Sequence, residues 1–381
     1  MRTIKIKKDD LVIGHPLPWQ VYGANQQLLL NEGFVLNSEK QKETLLSRKP
    51  YRLPVQHELT EESSSSKLDT YFKGTPFDTL NALKQSIVSI LDDIHQSQQN
   101  DYNRSVLDLA SVVQKLCREN ADAALGALML DQDALYTHIH PILCAILTEL
   151  LTRRRKIPEQ DRMPYIAAAL TQNIGMLHEQ ENLTHQSAPL TDKQRKLIHE
   201  HPYKSREIMQ GVGIDNKDWL NALLLHHERF DGKGYPQGLA GDAIPEPVRI
   251  LSLADIYSAM ILPRQYRDGL FVKQALRDIF MQRGSAVDAE LTALLIKEIG
   301  IYPPGAFVQL INGETAIVLR RGLKNAHAPL VLSILSPRGA PYSNPQQRET
   351  HQNQLYGIVK VVPRIDNLRF NMSQIWGLTR R

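Results

Sequence analysis

The chain is poor in sulfur nucleophiles: Cys117 and Cys144 are the only cysteines in 381 residues. Both sit in apolar helical patterns, so they read as buried free thiols, which excludes a disulfide-built scaffold. No apolar run approaches the length of a membrane span, so no membrane partner is expected. The first residues, Met1-Arg2-Thr3-Ile4-Lys5-Ile6-Lys7, alternate charge with bulk and lack the apolar core of a signal sequence, and a reducing cytoplasm is the expected location. A concentrated basic stripe is also missing. The formal charge is only +4, so a nucleic-acid partner is not expected. The one tight basic run, Arg153-Arg154-Arg155-Lys156, reads as a helix end at the negative pole of the helix dipole.

What is present is ordinary globular material, 42% hydrophobic and 23% charged, and long enough for two or three domains. Residues 1–56 read as a small β-rich module. Ile4 and Ile6 alternate with lysines. Leu11-Val12-Ile13 is bounded by Gly14 and Pro16, and a hairpin is expected over Val21 to Leu30. Gly33-Phe34-Val35-Leu36 follows, and Ser38 is placed to cap a short helix through Leu46. Residues 57–77, with Ser63-Ser64-Ser65-Ser66, read as a linker. Residues 78–303 carry the 3.6-residue apolar period in successive segments, among them Leu80 to Leu91, Val106 to Leu116, Asp131 to Leu151, Tyr165 to Met176, Thr191 to Met209 and Trp219 to Leu225. Helices are expected to resume over Val248 to Met260, Phe271 to Gln282 and Asp288 to Ile299. Residues 304–381 return to strands. Phe307–Leu310 and Ala316–Leu319 flank Asn312-Gly313, a hairpin signal, and Leu330–Leu335 and Tyr356–Val362 add to it. The expected fold class is mainly α, a helical bundle flanked by small β-rich modules, with Trp376 as a packing anchor.

The most informative stretch is His226-His227-Glu228-Arg229-Phe230-Asp231-Gly232-Lys233-Gly234-Tyr235-Pro236. Two adjacent imidazoles stand beside two carboxylates, and such groups are the usual ligands of a hydrolytic metal. Gly232 and Gly234 permit close backbone approach, and Tyr235-Pro236 supplies a stiff, partly apolar wall. A solvated helix end followed by a surface turn is the bland alternative.

With its continuation through Gly238-Leu239, Gly241, Ile244-Pro245, Arg249-Ile250, Ala254-Asp255 and Arg264-Gln265-Tyr266-Arg267, this run resembles the HD-GYP family. The resemblance covers roughly residues 120–300. It implies a helical HD-superfamily bundle of the kind that hydrolyses cyclic di-GMP at a multinuclear metal centre in bacterial signalling. Carried over position by position, it implies metal ligands at His140, His201, His226, His227 and Asp255. It implies substrate contacts at Gly234, Tyr235 and Pro236, with Arg264 and Arg267 on phosphate, where the planar guanidinium fork is well suited. Alone, His140 would read as a packed core histidine, and His201 before Pro202 as a helix-end residue. A relic geometry held by hydrogen bonds, without metal, also stays open.

One element of the family pattern is replaced. Its His-Asp-x-Gly-Lys corresponds here to Gln172-Asn173-Ile174-Gly175-Met176, with Ile174 and Gly175 holding the register. In the family the aspartate bridges two metals, the histidine completes a metal shell and the lysine helps hold substrate. Asn173 offers a neutral carbonyl and cannot offset the repulsion of two cations. His140 and Asp255 are then too few for tight binding, while His201, His226 and His227 remain a possible mononuclear set. The expected cofactor is one divalent metal (zinc, iron or manganese) at reduced affinity, or none. The expected function is a degenerate member that senses cyclic di-GMP or a related nucleotide, or docks signalling partners, with little or no hydrolysis. Two alternatives stand beside it: an active metal-dependent phosphodiesterase using the remaining ligands, and a ligand-free scaffold for diguanylate cyclase (GGDEF) domains. A homodimer through the N-terminal module is also open.

Overall fold

The structure, a computed structural model, describes residues 4–23, 27–52, 71–72, 74–96, 100–131, 134–262, 272–322, 325–365 and 371–377. The chain divides into two compact units, Met1–Thr70 and Tyr71–Arg381. In the first, short strands Ile4–Lys5, Tyr51–Arg52, Val21–Tyr22 and Leu28–Leu30 pair antiparallel in that spatial order. Ile6, Leu11, Leu17, Val21, Leu36 and Leu45 form its core. Ser38 caps the helix Glu39–Ser47 by accepting from the Gln41 amide. Leu11-Val12-Ile13 is not a strand. Leu11 is buried, but its carbonyl accepts from Lys42 Nζ at 2.6 Å, so a side chain takes the bond a neighbouring strand would have made. The Gly33–Leu36 segment forms no strand of the sheet; it pairs with Gly14–Leu17 through an isolated bridge, Val35 to Pro16, and the backbone bonds around it.

In the second unit the helices Pro76–His95, Tyr102–Leu130, Tyr136–Arg154, Glu159–Thr171, Leu177–His185, Asp192–Gly211, Lys217–Leu225, Glu246–Ile261, Val272–Met281 and Ala289–Ile299 follow one another. Tyr136–Arg154 is mostly apolar and buried along nearly its whole length, as an interior helix must be. The helices Tyr102–Leu130, Glu159–Thr171 and Glu246–Ile261 pack around it. Side-chain caps fix several starts: Thr75 and Thr191 form capping boxes with Asp78 and Gln194, and Asn216 and Asp288 cap the helices that follow them. The apolar period that begins near Asp131 overstates one helix. Its first turn starts at Tyr136, and Leu135 stands at the cap, 46% exposed.

Five antiparallel strands close the unit, in the order Pro341–Glu349, Leu330–Leu335, Thr315–Arg320, Phe307–Leu310, Ile358–Val361. The hairpin sets Phe307 opposite Ile317, and its turn places Gly313 at φ +85°. The nine-residue strand Pro341–Glu349 carries no apolar alternation in its sequence. It is an edge strand, where proline is tolerated and one face stays wet. The sheet is pinned to the helices by Arg321, which pairs with Asp122 and Glu298, and by Arg364, which donates to the carbonyls of Met129 and Leu130. Trp376 is 6% exposed. Its ring lies against Phe77 and over Gly126, where a Cβ would come within 2.3 Å of it, and its Nε1 donates to Leu319 O.

Candidate metal centre

Three imidazoles meet where the end of one helix faces the middle of another. His201 lies within the Asp192–Gly211 helix, directly before Pro202. Proline has no N–H, so the Ile198 carbonyl lacks its ordinary i+4 partner. His201 Nδ1 takes that carbonyl at 2.6 Å. His226 caps the Lys217–Leu225 helix, and its Nδ1 donates to Leu223 O at 2.8 Å, satisfying a carbonyl of the last turn. Both rings therefore carry their proton on Nδ1 and present a bare Nε2. The two Nε2 atoms stand 3.2 Å apart with no hydrogen between them. Two nitrogens held by one tetrahedral zinc-like ion at ordinary bond lengths are about 3.3 Å apart. Burial, and for His201 also the neighbouring His226, keeps both rings neutral, with pKa values lowered to about 3 for His201 and about 4 for His226. His227 completes the group, its ring edge-on to His201 and 4.1 Å from that of His226, and burial holds it well below the ordinary histidine range. The donor set, the tautomers and the spacing all fit a divalent cation.

The other ligand candidates gather beside them. His140, on the interior helix, and Asp255, on Glu246–Ile261, approach to 3.4 Å between Nε2 and Oδ1. Asp255 Oδ2 is 4.0 Å from His227 Nδ1, so this carboxylate faces both groups. Cys144, one turn beyond His140, brings Sγ to 3.8 Å from both ring nitrogens. Cys144 was legible in the sequence only as a small buried apolar residue, yet its ligand atom belongs with those of His140 and Asp255. Gln172 is fully buried, and its Nε2 donates to Asp255 Oδ1 at 2.8 Å. Trp219 holds this end of the preceding helix, donating to Thr171 Oγ1 at 3.0 Å.

Gly175 explains how the pieces come together. A Cβ there would lie 2.6 Å from both His201 O and Ser205 N. Only glycine lets the His201 helix seat directly on the Ile174–Met176 turn. Ser205 Oγ seals the seam by donating to Gln172 O and accepting from Gly175 N.

The carboxylates of the His226–Pro236 stretch have other work. Glu228 is 4% exposed, and its two oxygens accept the backbone amides of Gln237, Gly238 and Leu239 at 2.6, 3.2 and 3.0 Å. Asp231 pairs with Arg229 and accepts from Lys233 N. Neither is positioned as a ligand, which corrects the reading from residue types alone: both are spent on shaping the loop. Gly234 is needed for close approach, since a Cβ would lie 2.3 Å from Arg229 N and 2.6 Å from Glu228 Cα. Tyr235 is packed between two imidazoles, 4.2 Å from His199 and 4.8 Å from His227 between ring centroids. His199 had no signal in the sequence beyond its nearness to His201.

A cleft of about 390 Å³ opens onto the group, lined by His140, Asn173, His227 and Asp255 on one side. Tyr136, Met176, Leu183, Pro189, Leu190 and Ile198 give it an apolar wall. This is a size and composition suited to a small organic ligand. Among the described lining residues there is no lysine or arginine. Arg264 and Arg267 lie outside the described residues.

Residues 108–291 match the family described as HD domain. A cyclic di-GMP phosphodiesterase of Pseudomonas aeruginosa is 27% identical over 255 residues, 67% of this chain and 61% of that protein. The helical core of this chain thus matches an HD domain and is similar to that of a cyclic di-GMP phosphodiesterase. A cyclic di-GMP phosphodiesterase response regulator of Xanthomonas campestris is 28% identical over 158 residues, covering 36% of this chain and 42% of the relative. A 3′3′-cGAMP-specific phosphodiesterase of Vibrio cholerae is 29% identical over 180 residues, covering 47% and 39%. The chain thus spans between 39% and 61% of the length of these relatives. A solved HDG"Y"P protein from Bdellovibrio bacteriovorus shares the fold at a TM-score of 0.50 and 17% identity, over 77% of this chain and 98% of that one. No described helix is long and apolar enough to cross a membrane.

Proposed function

We propose that this HD-GYP protein acts in cyclic dinucleotide signalling by binding the nucleotide, or docking partners through the same face, with little or no hydrolysis. The observation that carries this reading is the contact between Gln172 and Asp255. An amide N–H occupies a carboxylate oxygen that a metal would otherwise use, and neutral Asn173 lines the same cleft. Hydrolysis by two metals relies on stabilising both the attacking and the leaving oxygen. Removing an anionic bridge weakens that clamp, and each lost charge contact is worth about 3–4 kcal/mol, or about 10²–10³ in rate. The cleft and the Glu228-braced loop are retained. Arg264 and Arg267 are the proposed phosphate contacts, and Gly234, Tyr235 and Pro236 the proposed loop face.

The test pairs calorimetry with cyclic di-GMP and 3′3′-cGAMP against chromatographic detection of linear pGpG and GMP, with manganese, iron or zinc present. Binding with little or no product is expected. Steady product formation would overturn the reading in favour of an active phosphodiesterase. That second reading is supported by the His201–His226 spacing, which suits a cation. No binding under any condition would overturn the sensor reading and leave a scaffold for GGDEF domains.

A further inference from the structure

We infer that His140, Cys144, Asp255 and Gln172 form a closed, thiolate-bearing zinc site, separate from the three-histidine group and unable to activate water. The inference deepens the proposed function, because it says what the replaced half of the centre has become. The ligand atoms of His140, Cys144 and Asp255 all lie within 4.8 Å of one another, with His140 and Cys144 buried in the helical core and Asp255 at its boundary with the cleft. His140 and Cys144 are four residues apart on one helix, so both side chains rise from the same face. Nε2 of His140 to Oδ1 of Asp255 is 3.4 Å, and Sγ to His140 nitrogen is 3.8 Å. A tetrahedral ion with ordinary Zn–N, Zn–O and Zn–S bonds sets such pairs about 3.3–3.6 Å apart, so these two pairs already stand within a few tenths of an ångström of that spacing.

Gln172 supplies the independent observation. Its side chain is fully buried, and its Oε1 has no hydrogen-bond partner among the described residues. Nε2 lies 2.8 Å from Asp255 Oδ1 and 3.7 Å from Cys144 Sγ. Without an ion, donation to Asp255 Oδ1 fixes the amide and leaves its oxygen as the unpartnered atom. Turning the amide about its last bond would bring that oxygen to the Asp255 side, which is favourable only with a cation between them.

The charges also close. A thiolate and a carboxylate offset one divalent cation, and the thiol proton passes to solvent as the metal enters. Cys144 thereby returns the negative charge lost where Asn173 stands. Sulfur also shifts preference from magnesium or manganese to zinc. Four protein ligands leave no open position for water, which is the pattern of a structural rather than a catalytic site.

The experiment loads metal-free full-length protein with cobalt(II), reading near-ultraviolet sulfur-to-cobalt charge-transfer absorption, and measures zinc stoichiometry by elemental analysis. Wild type should show the band. Cys144→Ser should abolish it, remove one zinc per chain and weaken metal binding at this site by at least about 100-fold, beyond the effect of losing an outer contact. Gln172→Leu should retain the band and bind more weakly. Cys117→Ser, at a buried thiol in another part of the core, should change nothing. An absent band in wild type, a band surviving in Cys144→Ser, or equal zinc content in both would overturn the inference, with circular dichroism confirming the fold of each variant. Nucleotide calorimetry is read separately, so this inference can fail while the proposed function stands.

Discussion

Replacing Glu228 by Gln distinguishes a loop clamp from a metal ligand. The carboxylate accepts three backbone amides with two oxygens: Gln237 and Gly238 share Oε1, and Leu239 takes Oε2. Glutamine keeps one acceptor oxygen and turns a donor N–H₂ toward the remaining amide. Its best setting holds Gln237 and Gly238 on the oxygen and sets donor against donor at Leu239. A hydrogen bond to a charged group contributes about 1.5–3 kcal/mol, so the local opening equilibrium of the loop should rise by about 10-fold to more than 100-fold. The other two bonds also weaken as the charge is lost. Amide hydrogen exchange followed by mass spectrometry on peptides spanning residues 234–241 reads this directly, because such loops exchange through local opening rather than global unfolding. Metal content per chain should stay unchanged. A fall in bound metal with unaltered exchange would refute the reasoning and return Glu228 to the ligand set.

Three further outcomes follow from the same geometry. The double substitution Gln172→His with Asn173→Asp should bring cyclic di-GMP hydrolysis up by at least about 100-fold, measured as pGpG formed in manganese; no gain would mean these two positions do not limit turnover. Trp376→Ala should destabilise the Tyr71–Arg381 unit by about 3–5 kcal/mol and lower its Tm by at least about 6 °C, since it empties a site against Phe77 and Gly126 and strands Leu319 O. A shift under 2 °C in a thermal melt would refute that packing role. In chelator-treated protein, His201 and His226 have folded pKa values of about 3 and about 4, below their ordinary value of 6.5. The unfolded chain therefore binds more protons in that window. Stability should be fully present above pH 6.5 and fall as pH drops through about 4 toward about 3, a trend that denaturant melts in His201→Gln should show reduced.

Much of the helical domain was legible because its helices bury one stripe and show it as a 3.6-residue period. The Phe307–Leu319 hairpin was legible because Asn312-Gly313 fixes the turn. The edge strand Pro341–Glu349 was not, since its residues are mostly wet and carry no alternation. Leu11–Ile13 misled for the opposite reason: a buried apolar residue looks like a strand whether its carbonyl meets another strand or Lys42 Nζ. At the site, the family resemblance implied His140, His201, His226, His227 and Asp255 as ligands, and the structure gathers them into two adjoining groups. Cys144 escaped notice because a cysteine inside an apolar helix has the same pattern as alanine or valine. Pro202 also gave no sign of its role, which is to free the Ile198 carbonyl that sets the His201 tautomer.

The replacement of the family's His-Asp pair can be weighed as a charge problem in a buried space. Two adjacent carboxylates, one at position 173 and one at 255, would repel each other unless cations lay between them, so such a core is fully satisfied only with metal bound. With Asn173 in place, Asp255 stands beside His140 Nε2 and accepts from Gln172 Nε2. This arrangement gives the carboxylate an N–H donor from Gln172. The Glu228-braced loop is likewise held by its own carboxylate, which takes the amides of Gln237, Gly238 and Leu239, so on the proposed reading it keeps its shape whether or not an ion is present. A hydrolase gains nothing from that independence, because its chemistry needs the ions regardless. A nucleotide-binding module does gain, because its ligand-facing surface stays formed across changes in metal supply. Nucleotide affinity that is the same in chelator and in manganese is what this argument requires, and an affinity that collapses on chelation would break it.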